Sequence, residues 1–151
     1  MKLFCAVLAW LCMGIGGTWI SIRQKQSLDA AKAIGQGAIH LVHRLADGGL
    51  TMTQAMEPML REQNVQGKWA RWVMGRLRGE ADDGSFERLD EKTKSMLLPP
   101  LTLYDTEHTL RLWQEEWKML LKENEKQWQM KGLMAAKLGW VLGAGIMLMM
   151  L

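Results

Sequence analysis

The alternation of apolar and polar positions divides the chain into three parts. Residues 3–22 form an apolar run with no charged side chain, and residues 133–151 form a second run interrupted only by Lys137. Almost all remaining charge lies between them, in residues 23–132. As helices rising about 1.5 Å per residue, both runs reach across a hydrocarbon core of roughly 30 Å. The pattern therefore predicts a transmembrane helix over 1–22, a water-exposed domain over 23–132 and a transmembrane helix over 133–151. Residues 138–151 alone are short for a crossing; adding 133–136 restores the length if Lys137 snorkels back to the headgroups. With Leu151 as the last residue, no polar segment is expected to follow the second span across.

In the middle, apolar residues recur every three or four positions rather than every two, which predicts helices and no strands. Ser27 is expected to cap a helix running to about Ala46, with Leu28, Ala31, Ile34, Ala38, Leu41, Val42 and Leu45 on one face. Gly35 and Gly37 weaken that helix, and Asp47-Gly48-Gly49 ends it. Thr51-x-x-Gln54 has the form of a capping box and opens a second helix, which tolerates Pro58 with a kink. A third helix is predicted over 65–78, with Val65, Trp69, Trp72, Val73 and Leu77 apolar. Asp82-Asp83-Gly84 breaks the chain, Ser85 is expected to cap a short helix over 86–97, and Pro99-Pro100 stops it. The last helix is expected to run from Tyr104 or Asp105 to Lys131 and on into the second apolar run. Its stripe of Leu110, Trp113, Trp117, Leu120, Leu121 and Trp128 reads as bundle core rather than a cofactor box. The fold class is all-α: a small antiparallel helical bundle flanked by N- and C-terminal transmembrane helices.

A signal peptide competes for the first run, since Lys2 supplies a positive start and Gly14, Gly16 and Gly17 are small residues near a cleavage point. The run, however, continues through Trp19, Ile20 and Ile22 before Arg23 and Lys25, the profile of a retained span with an aromatic and cationic anchor. Trp10, close before Cys12, argues against a lipoprotein cleavage site. Arg23, Lys25, Lys32, Lys122, Lys126, Lys131 and Lys137 flank the spans on the side of the middle domain, against Lys2 and the α-amino group on the other. The positive-inside rule then puts the middle in the cytoplasm and both termini outside.

Charge and chemistry narrow the function further. The basic and acidic side chains of the middle nearly cancel, so no field suited to nucleic acid is expected. Both cysteines, Cys5 and Cys12, lie in the first apolar run on one helix face, which cannot close a disulfide between them. The middle has no cysteine, hence neither a disulfide framework nor a thiolate zinc site. His40 and His43 are near neighbours on a helix but lack the further ligands a metal site requires. No phosphate-binding glycine loop, nucleophile elbow or thiol nucleophile is present, so no catalytic residue, cofactor or metal is assigned. Neither span carries an acid or a histidine, which argues against a self-contained transporter.

Two constellations remain. Lys68, Arg71, Arg76 and Arg78 form a basic patch suited to a solvated face, anionic lipid or a protein partner. Gly139-x-x-x-Gly143 in the second span allows close helix packing, either against the first span, which offers Cys12 and Gly16 or Gly17 and Ser21 at the same spacing, or in a homo-oligomer.

In order of features the chain resembles the stage III sporulation protein AB family. The resemblance rests on the Met1-Lys2-Leu3 span, the charged exit at Arg23, the turn into helix at Leu50-Thr51-Met52-Thr53-Gln54-Ala55-Met56, and the closing Leu138-Gly139-Trp140-Val141-Leu142-Gly143. It covers nearly the whole chain as a layout, in the manner of a divergent member. Of the family's Leu-Gly-x-Ser-Asp-x-x-x-Gln element, expected at 103–109, Asp105 is kept, while Tyr104 replaces the serine and Thr109 the glutamine. The segment before it, around 94–101, is shortened. The resemblance implies a cytoplasmic helical domain similar to that of the type II secretion inner-membrane platform protein. It also implies a place in the mother-cell complex that reaches the forespore, with a secretion-type ATPase, other membrane subunits and membrane lipids as partners and no catalytic residue. The Lys68, Arg71, Arg76 and Arg78 patch or the charged face of the last helix would be the ATPase docking surface. Competing readings are a type II secretion or pilus-like platform outside sporulation, a holin-like lytic protein, and a membrane-bound enzyme.

Overall fold

The computed structural model describes residues 2–100 and 106–150. Every regular element among the described residues is helical: α1 (Lys2–Gly48), α2 (Met52–Leu60), α3 (Val65–Leu77), α4 (Glu91–Ser95), α5 (Thr106–Gln127), a π-helical turn (Trp128–Gly132) and α6 (Leu133–Met150). The chain divides into two compact units, Met1–Leu28 with Glu123–Leu151, and Asp29–Lys122, so α1 and α5 each contribute to both.

The expected cap at Ser27 does not form; α1 runs unbroken through it. Residues 23–27 read Arg-Gln-Lys-Gln-Ser, with no glycine or proline, and four of the five are good helix formers, so nothing stops the helix before Gly48. Gly49 then takes a left-handed φ of +56° and turns the chain.

At α2 the capping box forms as read. The Gln54 backbone N–H donates to Thr51 Oγ1 at 3.4 Å, and the Thr51 N–H donates to Gln54 Oε1 at 3.1 Å. Pro58 lies inside α2 on its exposed side. The third helix matches its expected span to within a residue, but Asn64 opens it by accepting the Gly67 N–H at 2.9 Å. Of its apolar residues Trp69 and Val73 are fully buried, Val65 and Trp72 partly, and Leu77 faces outward.

The helix expected over 86–97 is corrected to the single short turn of α4. Ser85 does not cap it: its hydroxyl donates to the Asp83 carboxylate, as does its N–H at 2.9 Å, and Asp90 caps instead by accepting the Thr93 N–H at 3.1 Å. The start of the last helix at Tyr104 or Asp105, and the family element's Leu103, Tyr104 and Asp105, lie outside the described residues. From Thr106 onward the helix continues, as expected, into the second apolar run; the π-helical turn within it was not legible.

In the unit over 29–122, the faces read from periodicity meet in one core. Ile34, Ala38, Leu41 and Val42 of α1 share it with Ala55, Met56, Met59, Trp69, Val73, Leu110, Trp113, Trp117 and Leu120. Tryptophans organise this core. Trp69 and Trp113 stack with centroids 6.5 Å apart, and Trp113 meets Trp117 edge-on at 6.3 Å. Their indole N–H groups also hold the chain after α4, Trp69 Nε1 donating to the Leu97 carbonyl at 2.9 Å and Trp113 Nε1 to that of Met96 at 3.1 Å. Gly35 and Gly37 weaken α1 in isolation but allow close approach: a methyl group on Gly35 would lie 2.7 Å from Leu121 Cδ1, and one on Gly37 3.0 Å from Met59 Cε.

Candidate functional site

Two helices are long and apolar enough to cross a membrane, Phe4–Gly48 and Glu107–Met149. Their apolar ends pair within the first unit, and small residues make that pairing close. A methyl group on Gly139 would sit 2.8 Å from the Met13 carbonyl oxygen and 3.2 Å from Gly17 Cα. One on Gly17 would sit 2.6 Å from the Ala135 carbonyl oxygen and 3.3 Å from Gly139 Cα. Here the two backbones touch, which only glycine permits.

Beyond this crossing the helices exchange tryptophans reciprocally. Trp10 of α1 covers Gly143, and Trp140 of α6 covers Gly14; methyl groups on those glycines would lie 2.9 Å and 2.7 Å from the respective rings. The two rings meet edge-on with centroids 5.1 Å apart. The register is antiparallel: Gln24 lies level with Gly132, Gly17 with Ala135 and Gly139, and Trp10 with Gly143. Continued at about 1.5 Å per residue, the same register brings Phe4 level with about residue 149, some ~30 Å from Gln24.

Gly139 and Gly143 therefore both face the first apolar helix. Of the small-residue pairs read in α1, Gly17 and Ser21 are turned inward, whereas Cys12 is exposed and Gly16 has nothing within 4 Å of its Cβ position. Gly14 is the packing residue that spacing alone missed. The outward surface is apolar: Phe4 is 68% exposed, Ile15 62%, Val141 66% and Met149 90%. Large side chains left in water over such an area mark a surface that takes another apolar phase.

At one end of the hairpin the apolar surface gives way to cations. The Arg23 guanidinium lies 5.6 Å over the Trp19 ring and the Lys25 ammonium 6.0 Å over the Trp128 ring. Trp128 belongs to the π-helical turn, and Gly132 at its end packs under it, with a methyl there 2.7 Å from Trp128 Cδ1.

In the other unit, Lys68, Arg71 and Arg76 line one polar groove of about 540 Å³ along α3, together with Glu80 and Asp83; Arg78 lies outside its lining. All four basic side chains are exposed. Arg71, however, already donates to the carbonyls of Leu60 and Glu62, both at 3.0 Å, closing the end of α2, and Arg76 reaches the Glu80 carbonyl at 3.3 Å. Trp72 Nε1 donates to Asp82 Oδ1 at 3.0 Å, which with the Gly84 N–H holds the Asp82 carboxyl below its usual range. The Ser85 hydroxyl and N–H do the same for Asp83. Asp82 thus ties this segment back to α3, while Asp83 closes a local turn with Ser85. The charged face of α5 pairs within itself through Arg111–Glu107 at 2.6 Å and Lys118–Glu115 at 2.7 Å.

His40, His43 and His108 are exposed. Among the described residues no group of three or more His, Cys, Asp or Glu side chains is arranged to hold a metal ion. No family model, curated protein or solved structure matches the chain.

Proposed function

We propose that the chain is a two-pass membrane protein whose glycine-packed hairpin anchors a helical bundle acting as an assembly platform. The observation that carries this reading is the division of labour within the hairpin. Small residues and two tryptophans fill the seam between the helices, while large apolar side chains point outward. The contacts of Gly139 with Gly17 and of Gly143 with Trp10 support pairing of the two spans over a homo-oligomer through that face. The cationic end of the hairpin supports a cytoplasmic bundle by the positive-inside rule.

The resemblance to the stage III sporulation protein AB family supplies the setting. The bundle, similar to the helical domain of the type II secretion platform protein, receives a secretion-type ATPase in a mother-cell complex at the forespore septum, beside other membrane subunits. On this reading the ATPase meets the exposed face of α3. Since Arg71 holds the end of α2, docking is tested at Lys68 and Arg78, which have no such carbonyl contact. Lys68→Glu with Arg78→Glu is expected to lower co-purification of the ATPase at least about tenfold while leaving the melting temperature of the bundle unchanged. Undiminished co-purification removes α3 as the docking surface.

The departures at Tyr104 and Thr109 from the family element favour one second reading, a platform component of a type II secretion or pilus-like system outside sporulation. A clean deletion in the native host separates the two. Arrest after engulfment with a small, immature forespore supports the sporulation complex; normal spores and expression in vegetative cells support the other.

A further inference from the structure

The distribution of charge in the hairpin unit is one-sided. In residues 1–28 and 123–151 the only acids are Glu123 and Glu125, and apart from Lys2 every charged side chain lies toward the end where the helices leave the apolar region, five basic against two acidic. Arg23 is held over Trp19, and Lys25 over Trp128, so two cations are fixed on aromatic rings at that boundary rather than free to turn away. Lys131 is exposed within the π-helical turn, and Lys126 one turn before it. Lys137 is exposed nearly level with Gly17, inside the apolar region, and side chains on α6 tilt toward its N-terminal end, so its ammonium reaches back to the same boundary. Three acids adjoin the collar, Asp29 one turn after Lys25 on α1 and Glu123 and Glu125 just before Lys126 on α5, and Arg23, Lys131 and Lys137 stand farther from them along the helices.

We infer that this collar of Arg23, Lys25, Lys126, Lys131 and Lys137 selects phospholipids with a net negative headgroup over zwitterionic ones. The inference rests on the membrane reading above. A phosphodiester without its own ammonium leaves its charge to be neutralised by the protein, and the Arg23 guanidinium offers paired donors for phosphate oxygens. A zwitterionic headgroup brings a cation that the collar repels. The occupant is a lipid rather than free phosphate because the cations are set at the rim of the outward apolar surface, where acyl chains and headgroup are met together.

The test uses the full chain reconstituted in vesicles of equal phosphatidylglycerol and phosphatidylcholine, with spin-labelled analogues of each lipid. The relative association constant is read from the motionally restricted component of the spectrum. The expected result is a preference of at least about threefold for the phosphatidylglycerol label at low salt, falling toward unity as salt is raised. Arg23→Gln with Lys25→Gln and Lys131→Gln abolishes the preference, whereas Lys2→Gln at the opposite end keeps it. Equal association of both labels with the unsubstituted protein overturns the collar while leaving the spans intact, as does a preference insensitive to salt. A restricted component absent for both labels overturns the membrane reading and the collar with it.

Discussion

Replacing Gly67 with alanine is expected to lower the melting temperature of the bundle by on the order of 15 °C, a loss of about 3 kcal/mol. Gly67 sits in the first turn of α3, where its N–H completes the Asn64 cap. A methyl group there would collide with the Glu62 carbonyl oxygen and lie 2.7 Å from the Glu62 carbonyl carbon and 3.0 Å from the Met59 carbonyl oxygen. All three atoms are backbone in the tight connection between α2 and α3, so relief requires the helices to move apart, and Arg71 would lose its grip on Leu60 and Glu62. Gly37→Ala is the matched control. Its methyl meets the flexible end of Met59 at 3.0 Å and lies in ordinary contact with Trp69 Cζ3 at 3.4 Å and Gln66 Cγ at 3.5 Å, and alanine gains up to about 1 kcal/mol of helix propensity within α1. Thermal unfolding of the full chain in detergent, followed by tryptophan fluorescence, should separate the two variants by more than about 10 °C. Similar melting temperatures for both would show that the α2–α3 connection is looser than described.

The second large effect is expected from Gly139→Val, which should separate the two apolar helices. Its side chain would press on the Met13 carbonyl and on Gly17 Cα, neither of which can rotate out of the way. The overpacking costs about 1–3 kcal/mol, comparable to what a helix pair in lipid gains from such a seam. Spin labels on Leu8→Cys and Leu148→Cys, in a chain carrying Cys5→Ala and Cys12→Ala, should report a single narrow distance that broadens and lengthens in the Gly139→Val protein. Gly16→Val and Gly145→Val provide the contrast, because nothing lies within 4 Å of either Cβ position, and both should leave the distance unchanged. An unchanged distance in the Gly139→Val protein would place the seam elsewhere.

That contrast also shows how far the sequence could be read. Period-three and period-four spacing identified the buried face of α1 from Leu28 to Val42, and the pairing of Thr51 with Gln54 identified the start of α2, because both signals are local. The Gly139-x-x-x-Gly143 spacing marked a packing face, but spacing cannot say which glycines of α1 answer it. Gly17 answers Gly139 through three-dimensional register, Trp10 covers Gly143 and Gly14 takes Trp140, while Gly16 meets none of them. Ser27 and Ser85 were read as caps from residue type alone. The first sits in an uninterrupted run of helix formers, and the second is taken up by Asp83, leaving Asp90 to cap α4. Asn64, which caps α3, was not read from the sequence although its residue type favours that position. The contact at Gly67, the role of Arg71 and the π-helical turn under Trp128 each depend on partners distant in sequence or on register between helices, and no local pattern announces them.

The central claim is that the two apolar segments cross a membrane as one antiparallel pair, with both chain ends on the side opposite the bundle. It is tested most directly by adding short epitope tags at both termini and a single cysteine at Arg78 in the chain carrying Cys5→Ala and Cys12→Ala. Intact spheroplasts are then treated with protease or with a membrane-impermeant maleimide. The account predicts that both tags are removed by external protease, while the cysteine at position 78 is labelled only after lysis. Loss of one tag with protection of the other, or labelling of position 78 in intact spheroplasts, would contradict it.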